Sequence, residues 1–592
     1  GALLKRSFHE WIDVSLPWTL FATAVLGFGI MLGGFWAYES LGWGGFWGWD
    51  PVENSSLIPW LAAVALVHTM IVQKKTKGLV KTNFTIAIFA YLLVLYSTFL
   101  TRSGVLGDTS VHSFVEPGMF AKMLLIAFVA IFAVLGLTMI LLRRRDISIE
   151  KKEFAPASRE FFLSIGAALT LASAIIITLG TSWPVIAEII GQPKVAVDVR
   201  FYNTMHIPLV IAILLTNAAS LLLKWRMSSR EEAFKKSFLA LGLAVVATAI
   251  SFALGVREIG YILLTFAAWF SLFINGELAL KIMRGNPKFI GAYVSHAGIA
   301  LLMLGVVATA GYSELTHAQL VQGETVEALG YKLTFLGREQ VEKEFTDKEK
   351  FKYHIRAEKG DFKTVISPVL FWSDFNKRQS AFLEPGIKWS LKEDLYISPK
   401  STETEDNLNT RALMKDQSVA VPIDSSLKIT MKRFDMSEAM GAAGADPSQG
   451  MRLAAVVHIE QNGVTTEQKL YSLLKMVNGQ MDFQPEWFTV AGTTTQIGLA
   501  RVIRDQQNPE KSQAHFVFKD ATKPLPVNRD IFTVEVSIKP YINLVWFGVI
   551  AMVLGFFISI ARHRDELRRK RTRENRPVSL KTPVQQAEVI AE

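Results

Sequence analysis

The residues best placed to do chemistry in this 592-residue chain are tryptophans and histidines, because cysteine is absent. Without cysteine there is no disulfide, thiolate-bound zinc, cysteine-held iron–sulfur cluster or cysteine nucleophile. Any transition metal has to be held by His, Met, carboxylate or backbone. The densest run is Trp43-Gly44-Gly45-Phe46-Trp47-Gly48-Trp49-Asp50-Pro51-Val52-Glu53-Asn54, with Trp36, Tyr38 and Trp60 nearby. Trp and Tyr collect at membrane headgroups, so an interfacial belt is one reading of this run. The other is a ligand surface. Its glycines let aromatic faces and backbone approach a flat ligand closely, and it has no Lys or Arg for lipid headgroups. A planar, polarisable ligand such as a porphyrin suits it, with Asp50 and Glu53 ordering the loop through backbone bonds.

Among ten histidines, His68 and His296 stand out because each lies inside an apolar segment. An ionisable group at such depth is costly and usually functional, although a lone one can be a helix–helix hydrogen bond. His68 precedes Lys74 by six residues on an inward-running segment, and His296 follows Lys288 by eight on an outward-running one. At about 1.5 Å per residue both sit roughly 9–12 Å from the inner face. Two neutral imidazoles at matched depth suit opposite faces of one haem iron, a ligation that needs no cysteine. His112, downstream of Arg102-Ser-Gly-Val-Leu, lies on the same face as the tryptophan loop and offers an axial ligand there. Arg102 suits a propionate or, equally, a snorkelling anchor. His206, following Tyr202-Asn203, reads as structural, and the remaining histidines sit in polar surroundings.

These side chains have to be positioned by membrane spans. Half of the residues are hydrophobic, and mean hydropathy is above zero. A span takes about 20 apolar residues. Such segments lie near 17–38, 58–73, 84–101, 119–142, 160–183, 205–223, 237–254, 259–283, 290–311 and 541–561. Between the ninth and tenth, runs such as Tyr331-Lys-Leu-Thr-Phe-Leu alternate apolar with polar, the strand period. The predicted fold is therefore a polytopic α-helical membrane protein of about ten transmembrane helices with a β-rich extracytoplasmic domain. Residues 1–311 form a nine-helix membrane domain with the tryptophan-rich loop at 39–57. Residues 312–540 form one folded β-rich domain, looser at 436–450, then come a final span at 541–561 and a basic cytoplasmic tail at 562–592.

The net charge of +10 is concentrated in alternate loops: Lys74 to Lys81, Arg143 to Arg159, Lys224 to Lys236, Lys281 to Lys288, and the tail. Positive loops stay inside, which puts both chain ends in the cytoplasm and the tryptophan loop and β-rich domain outside. The charge is thus a topology signal, and nucleic acid is not needed to explain it. The chain opens at Gly1, close to a span and without a signal-peptide pattern, and reads as a fragment lacking upstream sequence.

The run Trp43-Gly-Gly-x-Trp47-x-Trp49-Asp50-Pro51-Val-Glu53-Asn54 resembles the tryptophan-rich WWD signature of haem-handling proteins. Followed by Ala65-Leu-Val-His68 and Arg102-Ser-Gly-Val-Leu…Ser-Val-His112-Ser-Phe, it is similar to the CcmF family, the haem lyase component of System I cytochrome c maturation. The resemblance covers residues 1 to about 311 and the last span. It implies that Trp43, Gly44, Gly45, Trp47, Trp49, Asp50, Pro51, Glu53, Asn54 and Arg102 present haem received from the chaperone CcmE. It implies that His112 ligates this transferred haem, and that His68 and His296 hold a transmembrane haem b, with quinol as an electron source. A second outer histidine belongs to a family His-Pro-Pro motif that this chain lacks, in keeping with missing upstream sequence. Phe46, Gly48, Gly107-Asp108-Thr109 and the large outer domain depart from the family pattern.

The implied reaction adds two thiols of an apocytochrome c CxxCH site across the haem vinyl groups, with a CcmH-type subunit supplying them reduced. The implied location is the bacterial inner membrane, with the large domain in the periplasm and membrane lipid around the spans. No nucleophile of the protein's own is required, so catalysis would rest on positioning. Other classes stay open: a haem carrier or export subunit without ligase activity, a quinol-oxidising b-type cytochrome, and an ion-coupled transporter. The last is disfavoured because no internal repeat is evident.

Overall fold

Hydrocarbon offers no partners to backbone N–H and C=O groups, so long apolar runs satisfy them internally as helices. The computed structural model describes residues 3, 8–42, 45–107, 110, 118–147, 154–226, 230–404, 409–435, 451–477, 480–503, 512–522 and 529–574. Among these residues lie ten long helices: α1 (Trp11–Ser40), α2 (Pro51–Thr76), α3 (Val80–Arg102), α4 (Met119–Arg143), α5 (Arg159–Ile189), α6 (Val199–Leu222), α7 (Arg230–Ala253), α8 (Ile259–Met283), α9 (Gly291–Tyr312) and α10 (Asn543–Glu574). Nine are long and apolar enough to cross a membrane, and the apolar part of α7, Ser237–Ala253, is shorter. The chain is a multi-pass helical membrane protein with a β-rich region between α9 and α10.

Residues 562–574, assigned by hydropathy to a tail, continue α10 as helix. Arg562 and His563 pair with Glu566 at 2.8 and 3.1 Å, the spacing that supports a helix face. Lys570 reaches Asp13 of α1 at 2.7 Å, Lys74 of α2 reaches Glu566 at 3.2 Å, and Lys288 reaches Asp565 at 2.6 Å. The start of α1 and the ends of α2 and α10 therefore share one face of the molecule.

Helices α9 and α10 meet backbone to backbone. Gly291, Gly298 and Gly305 recur every seventh residue on α9, opposite Gly548 and Gly555 on α10. A Cβ at Gly298 would come within 2.5 Å of the Gly548 carbonyl oxygen, and one at Gly305 within 2.6 Å of the Val545 nitrogen. Ser295 Oγ donates to the Met552 carbonyl at 2.9 Å. Small residues and such bonds are the means by which helices associate in lipid, where burial of apolar surface supplies no drive.

The β-rich region, expected as one domain, contains two separate hydrophobic cores. Strands Glu314–Val321, Asp530–Pro540, Glu393–Thr404 and Gly386–Lys388 form one antiparallel sheet. It packs on a second sheet running from Thr325–Ala328 to Phe382–Glu384, around Leu333, Phe335, Tyr353, Phe532, Val534 and Val536. Between Thr404 and Asp530 the chain builds another pair of antiparallel sheets with a separate core of Ile429, Met431, Val457, Leu499 and Phe516. Period-two alternation shows that a strand has a buried face but not which core it faces. The patch expected at 436–450 lies outside the described residues.

Candidate functional site

The tryptophan loop leaves α1 at Leu41 and ends where α2 begins. Asp50 is the N-cap of α2: its carboxylate accepts from Val52 N at 2.8 Å, and Pro51 occupies the first helical position. Glu53 Oε2 reaches back to accept from Gly48 N at 2.8 Å and Asp50 N at 3.1 Å, completing a capping box. Asn54 Nδ2 donates to the Trp49 carbonyl at 2.9 Å. These four residues thus shape the loop through its backbone. Ser110 Oγ donates to both Asp50 oxygens at 2.9 Å, tying the segment that leads toward His112 to the same cap. Trp43, Gly44 and His112 themselves lie outside the described residues, and Arg102 ends α3 with its side chain exposed.

Trp49 has φ of +53°, a left-handed backbone that a bulky side chain adopts only when its surroundings impose it. Three contacts do so. Its ring stacks on Tyr202 at 5.0 Å with an interplanar angle of 9°, its Nε1 donates to Asn203 Oδ1 at 2.9 Å, and its carbonyl is held by Asn54. His206, one helical turn below Tyr202, lies 5.1 Å from the Trp49 ring. Its Nδ1 bonds the Tyr202 carbonyl at 2.8 Å, while Nε2 is buried with the Ser173 backbone nearby but outside bonding geometry. Trp47 meets Trp49 edge to face at 5.9 Å and is half-buried, and Gly48 between them is exposed. The result is an aromatic shelf fixed on the Tyr202 side, with Gly48 exposed in it. The platform residues Tyr202, Asn203 and His206 were not foreseen as part of it, although their crowding on the first turns of one span was visible in the sequence.

The second constellation is the imidazole pair. His68 on α2 and His296 on α9 have ring centroids 5.9 Å apart. His68 Nδ1 bonds the Val64 carbonyl at 2.8 Å, which leaves Nε2 for another partner. His296 Nδ1 is buried without a hydrogen-bond partner, the Ala292 backbone lying close by. Two buried imidazoles this close could both bind one metal ion, each supplying one ring nitrogen. Among the described residues no group of three or more His, Asp or Glu could hold a metal ion. A metal at this pair therefore needs its other ligands from elsewhere, as a porphyrin provides, and the residues fit a bis-histidine haem.

Residues 4–106 match a family model described as Cytochrome C assembly protein. The cytochrome c-type biogenesis protein CcmF of Pseudomonas aeruginosa is 32% identical over 415 residues, covering 67% of this chain and 61% of that protein. CcmF of Escherichia coli is 32% identical over 329 residues, covering 54% and 50%. This chain belongs to the CcmF family. Its match spans between half and about 60% of the length of these curated relatives. A solved structure described as Cytochrome c Heme Lyase CcmF shares the fold with a TM-score of 0.59 at 20% identity, over 94% of this chain and 68% of that one. The family model ends at residue 106, so it includes the tryptophan loop, its α2 cap and His68, but neither His296 nor the α6 platform.

Proposed function

We propose that this CcmF-family chain is a haem lyase of cytochrome c maturation. It would hold haem on the tryptophan shelf while thiols of an apocytochrome c CxxCH site add across the two vinyl groups. Each addition joins sulfur to one vinyl carbon and hydrogen to the other, so nothing leaves and no protein nucleophile is needed. The observation that carries the reading is the shelf itself: Trp49 is locked in a left-handed backbone over Tyr202, with Gly48 uncovered beside it. A fixed flat surface supplies orientation, which is what an addition between bound partners requires. His112 would take the iron of the transferred haem and Arg102 a propionate. The chaperone CcmE would donate haem, and a CcmH-type subunit would present the reduced apocytochrome.

His68 and His296 would hold a haem b, which supplies one-electron chemistry when bound. The charge pattern supports an orientation with the β-rich region outside the cytoplasm, which in a bacterial inner membrane would be the periplasm. Reconstituting the full-length protein with haem-loaded chaperone and reduced apocytochrome tests the proposal, read as covalent haem on the CxxCH peptide. Haem transfer without any covalent product would instead make the protein a carrier.

A further inference from the structure

The far end of the tryptophan loop is held by the β-rich region. Strand Glu393–Thr404 lies against the point where α1 ends. Tyr396 OH donates to the Leu41 carbonyl at 2.9 Å, and Ser398 Oγ donates to the Gly42 carbonyl at 2.7 Å. One turn back, Tyr38 OH donates to Asp394 Oδ2 at 3.1 Å, and Ser390 N donates to Oδ1 at 2.7 Å. Tyr38, Asp394, Tyr396 and Ser398 are all completely buried. Gly42 admits no side chain, since a Cβ there would stand 2.7 Å from that of Leu383. The turn before the strand also binds the link into α10, through Tyr541 N to the Lys392 carbonyl at 2.8 Å, and the first residue of α10, through Asn543 Nδ2 to the Ser390 carbonyl at 2.6 Å.

These bonds are specific to the loop's first two residues. Leu41 and Gly42 lie just past the last turn of α1, and two carbonyls that would otherwise face water are taken up by hydroxyls from a domain more than 350 residues away. At its other end the loop is fixed by the capping box and the α6 platform. A segment tethered at both ends has already lost the freedom it would give up on binding a ligand.

We infer that strand Glu393–Thr404 is a positioning element for haem presentation: Tyr396 and Ser398 set the pose of the tryptophan loop through the Leu41 and Gly42 carbonyls. The inference rests on the proposed haem-presenting role of that loop. It assigns the β-rich region a task in the haem step, apart from any contact that region makes with a partner.

The test uses the full chain with its resident haem site filled, in nanodiscs, comparing wild type with Tyr396→Phe, Ser398→Ala and the double variant. Amide exchange of residues 41–50 reports whether the strand holds the loop. Titration with ferric protoporphyrin IX, followed by tryptophan quenching, reports presentation. The b-type spectrum and exchange in α2 and α9 report the integrity of the fold. The double variant is expected to exchange faster at 41–50 and to bind the porphyrin roughly ten- to thirtyfold more weakly, as loss of two hydrogen bonds implies, with the b-type spectrum unchanged. Faster exchange with unaltered porphyrin affinity overturns the inference and leaves the proposed function standing. Unaltered exchange also overturns it. If Trp47→Ala and Trp49→Ala show no tryptophan-dependent porphyrin site at all, the haem-presenting reading falls and takes the inference with it.

Discussion

Replacing Gly298 by Ala should disturb the histidine pair without touching either histidine. The added methyl would lie 2.5 Å from both the Gly548 carbonyl oxygen and the Met552 nitrogen, where ordinary contact begins at 3.4 Å. The difference, about 0.9 Å, cannot be absorbed by a side chain because both neighbours are backbone. Helices α9 and α10 must therefore separate by most of that distance, at an overpacking cost of about 1–3 kcal/mol. His296 lies two residues before Gly298 on α9, while its partner His68 is on α2. Under the proposed haem b at this pair, metal–ligand bonds would tolerate only about 0.2 Å, and a displacement several times larger would release one histidine. The assay is the reduced-minus-oxidised spectrum with total haem by pyridine haemochrome and the low-spin ferric signal by paramagnetic resonance. On that proposal Gly298→Ala should lose most of the low-spin haem signal, as His68→Ala and His296→Ala should. Gly305→Ala meets Val545 at 2.6 Å but sits nine residues from His296, and should lower stability while keeping the spectrum. Gly276→Ala, with nothing within 4 Å, should change neither. A Gly298→Ala protein with wild-type low-spin haem and wild-type stability would refute the argument that this glycine contact sets the ligand pair.

Three further outcomes follow from the loop and its clamp. Glu53→Ala removes the acceptor of Gly48 N and Asp50 N and should cost about 1–3 kcal/mol of local stability, seen as faster amide exchange at 45–54 while α9 is unaffected. Asn203→Leu leaves Trp49 Nε1 without its acceptor and should cost about 1 kcal/mol; near-ultraviolet dichroism from the stacked Trp49–Tyr202 pair should weaken, and an unchanged band would count against the platform. Burial raises the Asp394 carboxyl above its usual 3.8, while the Ser390 N–H and the Tyr38 hydroxyl pull it down. A raised acid stabilises the fold fully below the unfolded value and loses that contribution as pH rises through the folded value. Wild-type thermal stability of the β-rich region should therefore fall from about pH 3.8 upward by more than that of Asp394→Asn, and parallel curves would remove Asp394 as the cause.

How much of this was legible beforehand depended on the range of each interaction. The spans are legible because a bilayer imposes length and apolarity on each segment separately. Backbone bonding by Asp50 and Glu53 is legible from their place in the loop, but the helix start at Pro51 is not: hydropathy extends the loop to 57, while the cap begins α2 seven residues before the apolar run at 58. Matched depth of His68 and His296 follows from counting along two helices, but facing does not. Rotation of α9 about its axis is decided by glycines meeting α10, roughly 250 residues away. The helical end of α10 escaped hydropathy because its residues are charged and are held by ion pairs with α1, α2 and the connector before α9.

The sequence by itself determined the class of molecule, the aromatic loop and the presence of two histidines within apolar segments, all through local pattern or a one-dimensional count. Tertiary structure alone decided what those pieces rest on. Trp49 meets Asn203 across 154 residues and Gly42 meets Ser398 across 356, and the two β cores are told apart only by which faces pair. The physical reason is that period and composition report which side of a segment is buried. Its partner is selected by the packing of the whole chain.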